Sequence, residues 1–291
     1  MKETALYYGA AVALKAASAT PLTRRAYRGL ARLKSGPRIV ALDQAQWLLD
    51  NLPSGRLLDL GTGWVHAYSL HLALLRNDCL HCFDIADNRH FKSFQATVPV
   101  VLDHIRCLPL DPAIARRAEA RAAALIAAKN WDEAYQVARI NYQVCPNGLP
   151  HYPENHFDAI YSIDVLEHVD AELFPVAVQT WHHILKPGGM FLAQVGVDDH
   201  LAFYSRTWGS KRYLRHSRRT WDRLLGNDLV YINRLTASEI ITVLKDVGFV
   251  IDEITTDDRG DTTPQQVHPD YCWQSEADIR AVRLIVRAHK R

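Results

Sequence analysis

The chain has 291 residues, 48% of them hydrophobic, which is enough for one large α/β domain with helical additions. It contains no run of about 18 to 20 uncharged residues, so a membrane-spanning helix of ordinary length is excluded. The first residues lack the basic start, apolar stretch and small-residue cleavage site of a signal peptide, and we therefore expect a cytoplasmic protein.

The net charge is only +2, but the basic residues are unevenly distributed. No acidic residue lies between Glu3 and Asp43, where seven lysines and arginines fall, and seven more lie within 206–223. Such clusters favour an anionic partner, which could be a phosphorylated small molecule, a nucleic acid or a membrane surface. The alternative is that each cluster is an ordinary solvated face.

Three helices are predicted ahead of the first strand. The apolar residues and the helix start and stop signals place these helices at 4–18, about 22–34 and 39–52. We assign residues 1–52 to an N-terminal helical segment and residues 53–291 to the main domain.

The main domain alternates strands with helices. Strands are predicted at 56–60, 80–85, 139–144, 157–163, 190–196, 249–255 and 281–288. Helices are predicted at about 65–77, 88–104, 171–185 and 236–247. This alternation predicts an α/β fold with a mostly parallel sheet that is covered by helices on both faces.

Two insertions interrupt the alternation. Residues 106–139 contain Asp111-Pro112, a cap followed by proline at the first helical position, and then an Ala- and Arg-rich helix. We interpret this insertion as a solvated brace, with a substrate lid as the alternative. Residues 198–235 combine five Tyr and Trp side chains with basic ones and are expected to cover a pocket at the adjoining strand edge.

Cys79 and Cys82 form a CxxC pair, which by itself is a weak metal or redox signal. The pair lies within a predicted buried strand, where a spacing of three residues points the two sulfurs to opposite faces. We therefore expect buried free thiols and no zinc site.

The strongest local motif is Asp59-Leu60-Gly61-Thr62-Gly63, in which an apolar strand ends in a glycine turn before a helix. Glycine lets the backbone approach a ligand closely at the carboxyl edge of a sheet. His66 stands where a dinucleotide site has its third glycine, so the motif does not favour a diphosphate ligand or a nicotinamide oxidoreductase. Asp84, at the end of the next strand, suits the two hydroxyls of a ribose, or else caps a helix.

The chain resembles class I S-adenosylmethionine-dependent methyltransferases. The resemblance rests on five motifs in the family's order: Asp59 to Gly63, Asp84, Phe157 to Val169, Leu185 to Gly189, and Asp246 to Phe249. It implies a Rossmann-like sheet of order 3-2-1-4-5-7-6 with the last strand antiparallel, and S-adenosyl-L-methionine as the cofactor. A narrower similarity is to bacterial methyltransferases of polysaccharide and small-molecule biosynthesis.

The resemblance also implies the cofactor contacts. The methionine end would be held by Asp59, Gly61, Thr62, Gly63 and Trp64. The ribose and adenine would be held by Asp84, Ile85 and Cys145, and the sulfonium by Ser162, Ile163 and Asp164. Two departures are Val65, where many members have a third glycine, and Cys145-Pro146, where an acidic residue often meets the adenine. Asn147 or backbone atoms would then contact the adenine amino group instead.

A hydroxyl acceptor needs a base, because its proton must leave as the methyl group arrives. His200, Asp199 and His168 follow the fourth and fifth strands and are the candidate catalytic residues. Asp198, Asp199 and His200 could instead bind a divalent metal ion, which we do not predict, or simply start a helix. For His168, the alternative to a catalytic role is a structural one.

The predicted reaction is therefore O-methylation of a sugar or similar small polar metabolite, which could carry an anionic group. The alternatives are small-molecule N-methylation, which needs no strong base, and a non-catalytic methyltransferase-fold partner subunit. Nucleic acid is not favoured, since no RNA-binding module accompanies the basic residues.

The N-terminal helices are expected to cap the cofactor cleft, with Tyr7 or Tyr8 closing over it, or to contact an anionic membrane surface. The sequence does not determine the acceptor or the oligomeric state.

Overall fold

The computed structural model describes residues 2–23, 41–205, 208–258 and 267–291. Its strands are β1 (Arg56–Leu60), β2 (Cys79–Asp84), β3 (Ile140–Val144), β4 (Phe157–Ile163), β5 (Leu185–Gly196), β6 (Phe249–Asp258) and β7 (Ala281–Lys290). Its α-helices of five or more residues are α1 (Lys2–Ser18), α2 (Leu42–Asn51), α3 (Ala67–Leu75), α4 (Phe91–Arg106), α5 (Pro112–Ala127), α6 (Trp131–Ala138), α7 (Phe174–Ile184), α8 (Ala237–Val247) and α9 (Glu276–Arg280). The helix predicted at about 22–34 lies almost wholly outside the described residues.

The seven strands form one sheet in the order β3-β2-β1-β4-β5-β7-β6. Strands β1 to β5 pair in parallel, whereas β7 runs antiparallel to both β5 and β6. The predicted fold class, strand order and antiparallel last strand are thus confirmed. In this register Leu60 lies opposite Phe83 and Ser162, so the carboxyl ends of the central strands meet at one edge.

Local sequence signals determine several helix ends. Thr236 and Glu239 form a reciprocal capping box at the start of α8, and Gly248 ends that helix at a φ of 115°. The Asp111 carboxylate accepts a hydrogen bond from the Ala113 amide, with Pro112 at the first helical position of α5. These ends agree with the prediction because capping depends on side chains that are close in sequence.

Three strands are longer than predicted, and β7 exceeds its prediction by two residues, ending at Lys290. Strand β5 begins at Leu185 and includes the predicted turn at 186–189, and β6 continues to Asp258. Asp258 pairs with Ala281 at the start of β7, so the antiparallel partner supplies hydrogen bonds beyond the core. Such pairing partners are distant in sequence, and strand ends that depend on them cannot be read from local patterns.

Buried apolar side chains cover both faces of the sheet. A third apolar cluster lies beside them, where Tyr7 and Ala11 of α1 pack against residues of the second insertion such as Trp208, Tyr213 and Trp221. The first insertion packs α5 and α6 on α3 and α4, and Arg117 and Arg121 donate to backbone carbonyls at the end of α3. The first insertion therefore acts as a brace of the sheet's helical layer.

The five cysteines are free thiols. The Cys82 thiol is fully buried and donates to the Ser69 hydroxyl at 3.2 Å, while Cys79 is half-buried. Among the described residues, no helix combines the length and apolar character that crossing a membrane requires.

Buried histidines should make the fold sensitive to acid. Burial, together with nearby His104, lowers the pKa of His71 to about 4. Between pH 6.5 and the folded pKa, His71 is protonated in the unfolded chain but not in the folded chain. The free energy of unfolding therefore decreases as the pH is lowered through this range. We expect His71→Leu to lose about 2 kcal/mol less stability than the parent between pH 7 and pH 5. Urea unfolding of both proteins at both pH values measures this difference. An equal loss in both would contradict a neutral buried His71.

Candidate active site

The glycine turn after β1 is held against the end of β2. The Gly61 and Thr62 amides both donate to the Phe83 carbonyl, at 2.9 and 3.1 Å. Gly61 and Gly63 have φ angles of 75° and 68°, a left-handed conformation that favours glycine. A Cβ on Gly61 would lie 2.4 Å from the Val165 side chain, whereas one on Gly63 would meet nothing within 4 Å. The turn is therefore packed below Gly61 and open above Gly63.

Asp84 stands beside this opening at the end of β2. Its Oδ2 accepts from the Gly63 amide at 3.3 Å, and its Oδ1 accepts from the Ile85 amide at 2.8 Å. The carboxylate is half-buried, and this burial raises its pKa above the ordinary value. Asp84 therefore links the glycine turn to the second strand and keeps acceptor oxygens available to a hydroxylated ligand.

The Thr62 and His66 side chains fix the far side of the turn. His66 is buried, and its Nδ1 and Nε2 lie 2.9 Å from the Thr62 hydroxyl and the Tyr135 hydroxyl, respectively. Burial lowers the pKa of His66 to about 3, so the ring is neutral at physiological pH. Tyr135 belongs to α6, which means that the first insertion supports the glycine turn directly. Trp64 is half-buried and packs against the core.

Asp59 and Ser162 lie beneath the edge rather than facing out of it. The Asp59 carboxylate is buried and accepts from the Ser69 hydroxyl at 2.8 Å, and burial raises its pKa to about 6. The Ser162 hydroxyl donates to the Leu60 carbonyl at 3.2 Å, and Ile163 is also buried. Asp164 is exposed at the end of β4 with a φ of 54°. Asp59 and Ser162 are thus bonded to neighbouring residues beneath the edge, whereas Asp164 is exposed at it and accepts from the Gln194 side-chain amide at 3.0 Å.

An apolar surface lies at the opposite end of this edge. The Ile85 side chain is 58% exposed, and a Cβ on Gly148 would lie 3.9 Å from it. The Cys145 amide donates to the Asp84 carbonyl, and the Cys145 thiol donates to the Asn147 Oδ1 at 3.0 Å. The exposed Ile85 side chain therefore lies next to the loop after β3, which adds polar groups beside it.

These features fit a nucleoside with a non-phosphorylated tail. An exposed aliphatic side chain suits the face of a base, the Asp84 carboxylate suits ribose hydroxyls, and the space above Gly63 admits a ligand close to the backbone. S-Adenosylmethionine has these parts in this order. Asp84, Ile85, Gly63 and the loop at 145–148 would hold it, with Asp164 beside the methionine end.

A cavity of about 300 Å³ lies at the carboxyl ends of β4 and β5. Its lining residues are Asp164, Glu167, His168, Gly196, Asp198, His200, Val282 and Arg283. The turn after β4 connects this cavity to the glycine turn, because Val165 packs directly under Gly61. The structure thus brings the predicted His168 and His200 into one cavity next to the cofactor turn.

The two imidazoles contact each other edge to face, with ring centroids 4.9 Å apart and an angle of 64° between the ring planes. The His168 Nδ1–H donates to the Tyr231 carbonyl at 2.6 Å, which leaves Nε2 as the acceptor atom of the neutral ring. Burial, with a further contribution from His168, lowers the pKa of His200 to about 4. The His200 imidazole is therefore neutral at physiological pH.

Glu167 is a site residue that the sequence analysis did not single out. Its side chain is buried, its Oε1 accepts from the Gly196 amide at 3.3 Å, and burial raises its pKa to about 8. Glu167 stands directly before the candidate His168 in the Leu166-Glu167-His168-Val169 segment, where a 3-10 turn follows β4. This position was the one indication in the sequence that Glu167 belongs to the site. Charged side chains in such a segment are usually solvated, and only the packing of β5 against the turn reveals this burial.

Asp199 is oriented away from the cavity. It is 1% exposed, its carboxylate accepts from the Tyr7 hydroxyl at 2.5 Å and from the Leu201 amide at 3.0 Å, and burial raises its pKa to about 6. Asp198, not Asp199, is the carboxylate that lines the cavity. The Tyr8 hydroxyl bonds to His216. Both tyrosines therefore join α1 to the second insertion, rather than closing over the cofactor cleft as expected.

The aromatic and basic side chains of the second insertion are largely internal. Trp208, Tyr213 and Trp221 pack in the third apolar cluster together with α1. None of these three residues is among the described residues that line the cavity. Lys211 and Arg212 are buried, with the Arg212 guanidinium 4.8 Å from the Tyr7 ring centroid. These three aromatic side chains form a core instead of covering the acceptor, whereas Asp198 and His200 of the same insertion do line the cavity. Most of the N-terminal basic cluster lies outside the described residues.

The chain was compared with known proteins. Residues 40–254 match the profile of a methyltransferase-domain family. A search of curated protein sequences finds no significant match.

Among solved structures, the chain is similar to a methyltransferase from Listeria monocytogenes described as S-adenosylmethionine-dependent, with 17% identity and a TM-score of 0.48 over 87% of this chain and 100% of that one. It is also similar to phosphoethanolamine N-methyltransferase 2 of Haemonchus contortus in complex with S-adenosyl-L-methionine, with 17% identity and a TM-score of 0.46 over 85% and 52% of the two chains. The family match covers more than two thirds of the sequence and the whole glycine-turn region. The chain belongs to this family and is an S-adenosylmethionine-dependent methyltransferase.

Proposed function

We propose that the enzyme methylates a hydroxyl group of a sugar or similar small polar metabolite. The observation that carries this proposal is the pair of imidazoles, His168 and His200, that line one cavity beside the glycine turn. A hydroxyl must lose its proton during methyl transfer, and an imidazole that accepts it supplies this step. An amine acceptor that arrives neutral needs no such group.

The polar lining supports a polar acceptor. Asp164 and Asp198 offer carboxylate oxygens to acceptor hydroxyls, and Arg283 offers a guanidinium to a phosphate or carboxylate group of the acceptor. S-Adenosylmethionine supplies an electrophilic methyl group on a sulfonium. The chain's own residues hold the nucleoside through Asp84 and Gly63 and accept the hydroxyl proton at the histidine pair.

N-methylation is the second candidate, and the carboxylates favour it. Asp164 and Asp198 in one cavity would also attract an ammonium group. A comparison of matched acceptors separates the two reactions. The enzyme is supplied with S-adenosylmethionine carrying a labelled methyl group and with hexoses, sugar phosphates or the corresponding amino sugars. Mass spectrometry of the products identifies the methylated atom.

We expect label on an oxygen atom of the hydroxyl acceptors. With S-adenosylmethionine supplied below its Kd, the Asp84→Ala protein serves as the control, because transfer by a contaminant would not fall with the weakened donor binding. Label only on the nitrogen of amino sugars, with none on their hydroxyl counterparts, would replace O-methylation by N-methylation.

A further inference from the structure

We propose that Glu167, His168 and His200 bind one divalent transition-metal ion in the acceptor cavity. The role of this ion in methyl transfer rests on the proposed function, but its binding can be measured without any acceptor.

The three side chains already have the arrangement of a metal site. One ligand atom from each residue lies within 4.8 Å of the other two. Nitrogen and oxygen ligands about 2.0–2.2 Å from a metal ion lie roughly 3 Å apart, so small side-chain rotations would close the site. A carboxylate with two imidazoles is a ligand set that favours ions such as Zn²⁺, Co²⁺ and Mn²⁺ over Mg²⁺ or Ca²⁺, which prefer oxygen ligands.

The Glu167 carboxylate provides an independent indication. The side chain is 3% exposed, and its Oε2 has no hydrogen-bond partner among the residues that the structure describes. A buried polar atom without a partner carries an energetic cost, and native proteins usually satisfy such atoms. Gly196 occupies only the other oxygen, Oε1, and Glu167 lines the cavity. A cation in the cavity would satisfy Oε2.

The surrounding residues hold the ligands in position. The Tyr231 carbonyl accepts the Nδ1–H of His168 and so directs the lone pair of Nε2 to the opposite side of the ring. The Asn233 amide side chain donates to the carbonyls of Leu166 and Val169, and the Asn233 backbone amide donates to the Glu167 carbonyl. Metal-binding histidines usually have a second hydrogen bond of this kind, which fixes the tautomer and the ring orientation.

The position of the site gives the ion a function. Only three protein ligands are assigned, so coordination positions remain open toward the cavity, where Asp164 and Asp198 add negative charge. An acceptor hydroxyl that reaches such an ion becomes more acidic. Its O–H bond breaks, the oxygen keeps the electron pair, and the proton passes to water. In this arrangement the reaction is still O-methylation, but the ion takes the role that the proposed function gives to the histidine pair, because both imidazoles are then ligands.

The test measures metal binding by the whole chain. Chelator-treated protein is dialysed against Zn²⁺ or Mn²⁺ and analysed for bound metal, and Co²⁺ is added separately to record its visible absorption. We expect one ion per chain. Glu167→Gln keeps the size of the side chain, and His200→Ala removes an imidazole, and each should lower the affinity at least about tenfold. His289→Ala is the matched control, because His289 pairs with Asp252 at the other end of β7 and should leave metal binding unchanged.

Circular dichroism and thermal unfolding show whether each variant is folded. Stoichiometric binding that folded Glu167→Gln and His200→Ala proteins both lose supports the site. Absence of a bound ion in the parent, or equal affinity in the parent and a folded variant, overturns it. O-methylation that is unaffected by chelator would overturn the metal site and keep the proposed function. Metal binding together with methylation of nitrogen would overturn the proposed function and keep the metal site.

Discussion

Replacement of His200 by alanine is expected to lower kcat by a factor of about 10² to 10⁴, the contribution of a positioned acid–base group. Affinity for S-adenosylmethionine should remain nearly unchanged, because His200 lies in the acceptor cavity and the cofactor contacts assigned above come from other residues. The same loss of turnover follows if His200 is a metal ligand, since either role acts on the acceptor hydroxyl. Steady-state kinetics with a hydroxyl acceptor and calorimetry with S-adenosylhomocysteine measure the two quantities separately.

Two further variants make this result interpretable. His289→Ala, on the exposed end of the sheet, should keep parental turnover and exclude a general effect of losing a histidine. If His200→Ala keeps near-parental turnover at neutral pH, His168 becomes the leading candidate for proton removal. If single variants of both residues are active, the acceptor is an amine that is already neutral when it binds, and N-methylation takes first place.

Replacement of Asp84 by alanine is expected to weaken binding of S-adenosylmethionine by about 1.5–3 kcal/mol, which is the usual cost of losing charged hydrogen bonds. This corresponds to a roughly 10- to 150-fold higher Kd. The Asp84 carboxylate stands beside Gly63, where the backbone is open to a ligand, and the ribose hydroxyls would donate to it. Calorimetry with S-adenosylmethionine and S-adenosylhomocysteine gives the affinities directly.

Asp103→Ala provides the matched control for Asp84. Asp103 is an exposed carboxylate on α4 that bonds to Arg106, so its loss should not change cofactor affinity. Equal affinity in the parent and in a folded Asp84→Ala protein would remove Asp84 from the ribose site. The carboxylate would then be only a link between β2 and the glycine turn.

Most secondary-structure elements could be predicted because their determinants are local. The Thr236 capping box, the Asp111-Pro112 start and Gly248 each act over a few residues, and the structure has helix ends at all three. The strand order came from the resemblance of five motifs to a known family, and no local pattern contains it. The ends of β5 and β6 were predicted less well, since partners distant in sequence determine them.

The candidate site shows the same division at the level of single side chains. Spacing within a motif placed Gly61, Gly63 and Asp84 together, because the turn and the next strand end are fixed relative to each other by parallel pairing. The sequence could not show that Asp199 binds Tyr7 in the core while its neighbour Asp198 lines the cavity. Adjacent residues in a loop can point in any direction, and α1, almost 200 residues earlier, determines which one is buried.

The sequence by itself therefore determined the fold class, the glycine turn after β1 and the edge of the sheet that the predicted site residues share. These properties depend on hydrophobic periodicity, on glycine dihedrals and on the order of motifs along the chain. Only the tertiary structure decided that Lys211 and Arg212 are buried, that the insertion's aromatics form a core with α1, and that Glu167 joins His168 and His200 in one cavity. Burial and side-chain direction arise from contacts between distant segments, and so the chemistry of the acceptor site becomes visible only when those segments have packed together.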